Sequence, residues 1–241
     1  MFVIARESAY AYRGKPPDMR KIGEALGLRY VLEGSVRNLD DSLRVNAQLI
    51  STETGAHLWA DRFDQKLNDL SSGQEAIVTR VGRTLNVALT DVESARSKRE
   101  RPTTPDAFDL LLRARSLQLH PMGPQEHAQR RALLEQALQS DPNSVIALTS
   151  LAYELMQAQR LYGQGEGDLD RAARLLAQAA SISPDSVFVL NATAYLAYAK
   201  NHYSEALSGY LRLLDEYPNS AGTYAWEVAG LPETLVDAQD W

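Results

Sequence analysis

The 241 residues contain no cysteine, which excludes a disulfide framework and any thiolate metal site and fits cytoplasm and periplasm equally. No apolar run approaches the roughly 20 residues that a membrane span needs. The opening Met1-Phe2-Val3-Ile4-Ala5-Arg6 is too short, and lacks the basic leader, for a signal peptide. As written, the chain is expected to be soluble and cytoplasmic, and a periplasmic place would need a longer, membrane-anchored parent. Positive charge is scarce in the second part. Residues 102 to 241 hold 9 Lys and Arg against 17 Asp and Glu, whereas residues 1 to 101 hold 16 against 14. An acidic helical half is a poor match for phosphates, so nucleic acid is not an expected partner.

What is present is a repeat. Ser183-Pro184-Asp185-Ser186 and Tyr217-Pro218-Asn219-Ser220 punctuate the chain with matching marks. Between them Val187, Leu190, Ala194 and Ala197 fall at helical spacing, and after Asn201-His202 a second set follows at Ala206, Leu207, Tyr210, Leu213 and Leu214. Two amphipathic helices folding back on each other are predicted, with Ala194 and Ala206 at their closest approach and Tyr210 filling space toward a neighbour. The same mark stands earlier as Asp141-Pro142-Asn143-Ser144, at a longer interval before Pro184. The excess falls on Leu161 to Asp168, whose three glycines read as a lengthened turn. Leu148, Leu151, Ala152 and Leu155 make the first helix of that unit, and Ala172, Leu176 and Ala179 the second. A weaker unit precedes it, with Phe108, Leu111, Leu112 and Leu117 before Leu133, Leu134, Ala137 and Leu138; there Arg130 stands where the pattern wants Ala.

The interval from Pro184 to Pro218 is the period of about 34 residues that marks the tetratricopeptide (TPR) repeat. The chain resembles that family from position 105 to position 220, with two good copies and one degenerate. The resemblance implies an all-α solenoid of helical hairpins whose concave groove holds a peptide, a protein partner or an adjoining domain. Residues 221 to 241 read as an incomplete repeat or tail, in which Tyr224, Trp226 and Val228 are expected to leave an apolar surface partly uncovered.

The first part changes period. Phe2 to Ala5 reads as a buried strand, Ala9 to Pro17 as a loop, and Asp18 as the N-cap of a helix from Met19 to Leu26 ended by Gly27. Alternation then predicts strands over Tyr30 to Arg37, Leu43 to Ile50 and His57 to Phe63, an antiparallel meander. A helix from about Leu70 to Ala95 offers Ala76, Ile77, Val81, Leu85, Ala88 and Leu89 to cover it. Helices on a small mixed sheet make an α/β layer. The runs Phe2 to Arg6, Gly27 to Arg37, Arg44 to Ile50 and Thr54 to Asp64 together resemble the TolB-like amino-terminal domain, over residues 1 to 95. The resemblance implies bacterial multidomain proteins in which this domain lies between a class III adenylate or guanylate cyclase, or a winged-helix regulator, and TPR repeats. Members carry a further strand and helix before the segment matching Phe2, so a fragment of a longer protein is expected. Residues 96 to 104 read as a linker, its basic run Arg96 to Arg101 being a solvated helix end.

Chemistry-bearing residues do not converge in the sequence. On one strand His57 and Asp61 share a face and Asp64 points away, which gives no closed ligand set. Gly14-Lys15 lacks the lead and the following hydroxyl of a phosphate loop, and Pro16 removes a donor. Gly34-Ser35 has no nucleophile-elbow context. Gly163 to Gly167 follows a helix, not the strand a dinucleotide site requires. His120 and His127, beside Pro121 and Pro124, read as two histidines in a turn. Trp59, Tyr224 and Trp226 read as packing residues rather than a stacking platform. No catalytic, cofactor or metal residue is expected. The function expected is a non-catalytic interaction and regulatory module; the alternative is the C-terminal fragment of a nucleotide cyclase, or of a winged-helix regulator, with its catalytic part elsewhere.

Overall fold

The computed structural model describes Tyr12 and residues 18–39, 42–66, 70–163, 165 and 167–217. The expected strand at Phe2, the Gly14-Lys15 turn and the tail with Tyr224, Trp226 and Val228 lie outside the described residues. The chain divides into two compact units, Met1–Val92 and Glu93–Trp241.

In the first unit α1 (Met19–Leu26) forms where expected. Asp18 accepts the Arg20 N–H at 3.2 Å, and Gly27, in the left-handed region at φ 64°, ends the helix. Three strands follow, β1 (Tyr30–Leu39), β2 (Ser42–Ser51) and β3 (His57–Lys66), paired in the order β1-β2-β3. Both pairings are antiparallel. The mixed sheet of the sequence reading is thus, among the described residues, a plain meander, because each strand returns beside its predecessor through a short turn.

The register sorts the sheet into faces. Val36, Val45 and Phe63 form one cross-strand row and Leu32, Leu49 and Trp59 another, with Leu49 and Phe63 nearly inaccessible. The opposite face carries polar pairs across the strands. Arg44 grips Asp64 at 2.6 and 3.2 Å, Gln48 donates to Glu33 at 2.6 Å, and Asn46 to Ser35 at 3.3 Å. Helix α1 meets the sheet through Gly23, where an added Cβ would lie 2.3 Å from the Thr52 Cβ. Thr52 in turn donates to the Leu28 carbonyl at 2.5 Å. Helix α2 (Leu70–Glu100) lays the Arg80 guanidinium 5.2 Å from the centre of the Phe63 ring.

The second unit begins inside α2. Residues 96–100, expected in a linker, continue that helix, because its end has polar partners. Arg113 donates to the Ser97 hydroxyl at 3.0 Å, the Ser97 carbonyl at 2.8 Å and the Arg101 carbonyl at 2.7 Å. The Ser97 carbonyl also accepts the Arg101 N–H at 2.9 Å, so Arg113 adds a second donor at the helix end. Three helical hairpins follow, each helix packed on the next in sequence: α3 (Ala107–Gln118) with α4 (Pro124–Ser140), α5 (Val145–Tyr162) with α6 (Asp168–Ile182), and α7 (Val187–Ala199) with α8 (Tyr203–Glu216).

Local chemistry sets their ends. Asp106 and Asp109 cap α3 reciprocally, Pro124 occupies the first turn of α4 while Glu126 accepts the Gly123 N–H at 2.9 Å, and Ser144 caps α5. The excess residues of the middle hairpin are only partly loop. Helix α5 runs on to Tyr162 before Gly163, at φ 62°, stops it. That extra length reaches both neighbours: the Tyr162 ring meets His127 of α4 edge-on at 5.5 Å, and Arg160 lies 4.8 Å over Tyr198 of α7.

Packing follows the repeat. Ala152, Ala172, Leu176 and Ala179 are buried in the middle hairpin, and Ala194, Ala206, Leu207, Tyr210 and Leu213 in the last. The closest approach of α7 and α8 also needs Gly209, since a Cβ there would stand 2.8 Å from that of Ala194. At Arg130 the first hairpin buries a guanidinium where the other two bury a methyl.

Candidate interaction surface

The first helices of the three hairpins repeat one pattern. Phe108, Leu111 and Arg115 on α3 stand at i, i+3 and i+7, as do Ile146, Thr149 and Tyr153 on α5 and Phe188, Asn191 and Tyr195 on α7. Residues so spaced share a helix face. The leading member is a large apolar side chain left in water each time, 67% exposed at Phe108, 47% at Ile146 and 53% at Phe188. Each sits in the first turn of its helix. An isolated exposed apolar residue carries no message, but one recurring at the same turn of successive repeats does.

Further along, α5 and α7 lie side by side and aromatic rings pack at their seam, Tyr195 being buried there. Tyr153 and Tyr195 stack tilted at 4.4 Å, Tyr195 and Tyr198 stand 5.8 Å apart, and Tyr198 and Tyr203 6.0 Å. The buried Oδ1 of Asn191 on α7 has no hydrogen-bond donor among the described residues, and neither has the Oε1 of Gln159 on α5. On α3 the corresponding stretch is polar. Arg115 donates to the Gln118 amide oxygen at 3.3 Å, and Arg130 of α4 reaches that same oxygen at 3.2 Å. Protein packed around Arg115, and the Arg130 charge beside it, hold its guanidinium below its ordinary range.

Behind this face lies a buried ionic cluster. Glu154 of α5, fully buried, accepts from Arg130 through one carboxylate oxygen and is 2.6 Å from His127 Nδ1 through the other. A buried carboxylate of this kind persists only with such partners. The cluster joins the first hairpin to the second.

Among the described residues no group of three His, Asp or Glu side chains is placed to hold a metal. His57 is opposite Ile50 and Trp59 opposite Leu49, a bulge that slips the alternation by one residue. Register therefore puts His57 on the face away from Asp61, and the shared face expected from strict alternation is corrected. Asp64 is taken up by Arg44, whose hydrogen bond, with Arg62 adding to it, keeps the carboxyl below its usual range. Ser35 accepts from Asn46 on the polar face. Trp59 is half-buried in its cross-strand row, and Gly163, Gly165 and Gly167, all at positive φ, form the loop between α5 and α6. His120 is exposed in the turn after α3, but His127 is not a turn residue. It lies in the first turn of α4, because Pro124 starts that helix, and it is buried against Glu154.

No known protein-family model matches the chain. It is 42% identical over 154 residues to a protein of Rhizobium meliloti (strain 1021) named "Putative adenylate cyclase 3". The aligned stretch covers 63% of this chain and 26% of that protein, so the chain spans about a quarter of the relative's length. No helix among the described residues is long and apolar enough to cross a membrane.

Proposed function

We propose that the chain is a non-catalytic interaction module, a TolB-like α/β layer followed by TPR-like hairpins, whose first helices take a peptide or a domain of a partner. The observation that carries this reading is the row of Phe108, Ile146 and Phe188, one exposed apolar anchor per hairpin at one helical position. A repeat array buries its core between neighbours and leaves such a face free for a ligand. Its anchors stand on packed helices, so little ordering is needed on binding.

The relative's name favours a second, compatible reading: the module belongs to a nucleotide cyclase whose catalytic residues lie outside these 241 residues. In that protein the hairpins would pass the presence of a partner to the cyclase. The test of the first reading is selection of a random dodecapeptide phage library on the full chain. Binders are expected, and Phe188→Ser should release them while leaving the melting temperature unchanged, since the side chain is exposed. Recovery of no binder, or binders indifferent to both Phe188→Ser and Ile146→Ser, would sink this reading.

A further inference from the structure

The apolar face of the sheet is covered on one side and bare on the other. Its cross-strand rows run from Leu49 and Phe63, nearly inaccessible, out to Leu32 and Val36 on β1, which are 48% and 64% exposed. Every residue from Leu32 to Leu39 is exposed. β1 has β2 on one side and, among the described residues, no strand on the other. Thr52 donates its N–H to the Arg29 carbonyl at 3.0 Å, and antiparallel alternation from that bond turns the backbone N–H and C=O of Leu32, Gly34, Val36 and Asn38 away from β2. Natural sheets blunt such an edge with a proline, a bulge or repelling charge. β1 has neither proline nor bulge: its register with β2 is unbroken from Tyr30 to Leu39, and the slip falls instead between β2 and β3. Its two charges, Glu33 and Arg37, are opposite in sign and stand at equal distance on either side of Ser35.

That symmetry is what a two-fold contact requires. We propose that this edge takes a second copy of the chain, the two β1 strands pairing antiparallel about an axis at Ser35 and joining two sheets into one. In this register Leu32 lies opposite Asn38 of the second copy and Gly34 opposite its Val36, so the outward N–H and C=O groups bond each other. Ser35 faces Ser35, and Glu33 faces Arg37 twice over, in the non-bonded pairs where side chains approach most closely. On the apolar face Val36 of the second copy lies over Gly34, which has no side chain to oppose it, and falls between Leu32 and Val36 of the first. Each sheet thereby covers what the other leaves in water. Sliding the strands to the next register that keeps their faces sets Glu33 or Arg37 against Ser35 and forfeits both ion pairs, so charge selects the register. The contact involves the sheet alone and stands apart from the helical face.

The test uses the full chain. Sedimentation equilibrium should find a dimer. Glu33→Arg and Arg37→Glu each set like charges across both pairs and should weaken it about tenfold or more, with circular dichroism unchanged because both side chains are exposed. An equal mixture of these two variants should associate again, as should the variant carrying both changes. The chain has no cysteine, so one introduced thiol reports the axis. Treated with diamide, Ser35→Cys should form a disulfide-linked dimer, its thiols facing across a Cα separation of about 4.5 Å. Glu33→Cys should not, since its two copies lie about 13 Å apart along the strands. A monomeric native chain overturns the proposal and leaves the edge to a strand of another protein or of a longer parent chain. A dimer indifferent to both charge reversals, or cross-linked as readily through Glu33→Cys as through Ser35→Cys, means that the copies meet elsewhere and overturns it equally.

Discussion

At one fixed interval before Pro142, Pro184 and Pro218 the three hairpins carry Arg130, Ala172 and Ala206; at the same interval after Pro142 and Pro184 stand Glu154 and Leu196. The last two hairpins solve this position with methyl groups that let helices approach, and the first solves it with a buried ion pair reaching into its neighbour. Both solutions exclude water. They differ in what happens when one member is lost: removing a methyl shrinks a contact, whereas removing one charge strands the other in a dry interior. A buried ionic joint of this kind is therefore not expected to add stability over an apolar one.

The largest effect should come from breaking this joint on one side. Glu154→Gln leaves Arg130 buried without its counter-charge and should cost about 3–5 kcal/mol in chemical denaturation. Copying the other hairpins, Arg130→Ala with Glu154→Leu, should recover most of that loss, and a double as unstable as the single would show that the joint is not equivalent to its apolar counterparts. Next comes the apolar side of the comparison. Gly209→Ala should destabilise by about 1–3 kcal/mol although Ala is the better helix former, because the added methyl meets Ala194 at 2.8 Å. A rise in melting temperature would mean that α7 and α8 can part freely.

A smaller effect sharpens the same comparison through pH. Burial pushes the Asp109 carboxyl up, but the Arg101 hydrogen bond, the Asp106 N–H and Ser97 outweigh it and leave it below the ordinary range; for Glu135, Arg171 and Arg131 likewise outweigh burial. Groups so lowered stabilise the fold above their unfolded pKa of about 4, and that stability fades as pH falls through the folded value. Asp109→Asn should flatten the acid limb of melting temperature against pH, while leaving its neutral-to-alkaline side level. The smallest effect belongs to the sheet. Arg44→Gln should give no resolvable shift in melting temperature, since its pair with Asp64 is an open surface contact.

Much of this is legible in the chain. The proline marks, the glycine stops at Gly27 and Gly163, and the alternation from Tyr30 onward follow from backbone preferences that act locally. What stays hidden depends on distant partners. Arg130 looks like a fault in the repeat because its counter-charge, Glu154, belongs to the next hairpin. The two stand at mirror positions about Pro142, and that symmetry is a signal the sequence does contain. The slip between Leu49 and Ile50 leaves no residue signature, so strict alternation sets His57 on the wrong face. The insertion after Leu161 looks like loop because glycines dominate it, yet Arg160 and Tyr162 find rings on neighbouring helices and hold another turn of α5 in place. The anchor row is present as Phe108, Ile146 and Phe188, but only their exposure separates them from core residues of the same type.

The central proposal is that the chain serves as a binding module and makes no cyclic nucleotide of its own. The direct measurement is conversion of ATP and of GTP to cyclic nucleotide by the purified chain with Mg2+ or Mn2+ present, read by mass spectrometry against a protein-free control. The account predicts no product above the control. Cyclic AMP or cyclic GMP accumulating in proportion to the chain would contradict it.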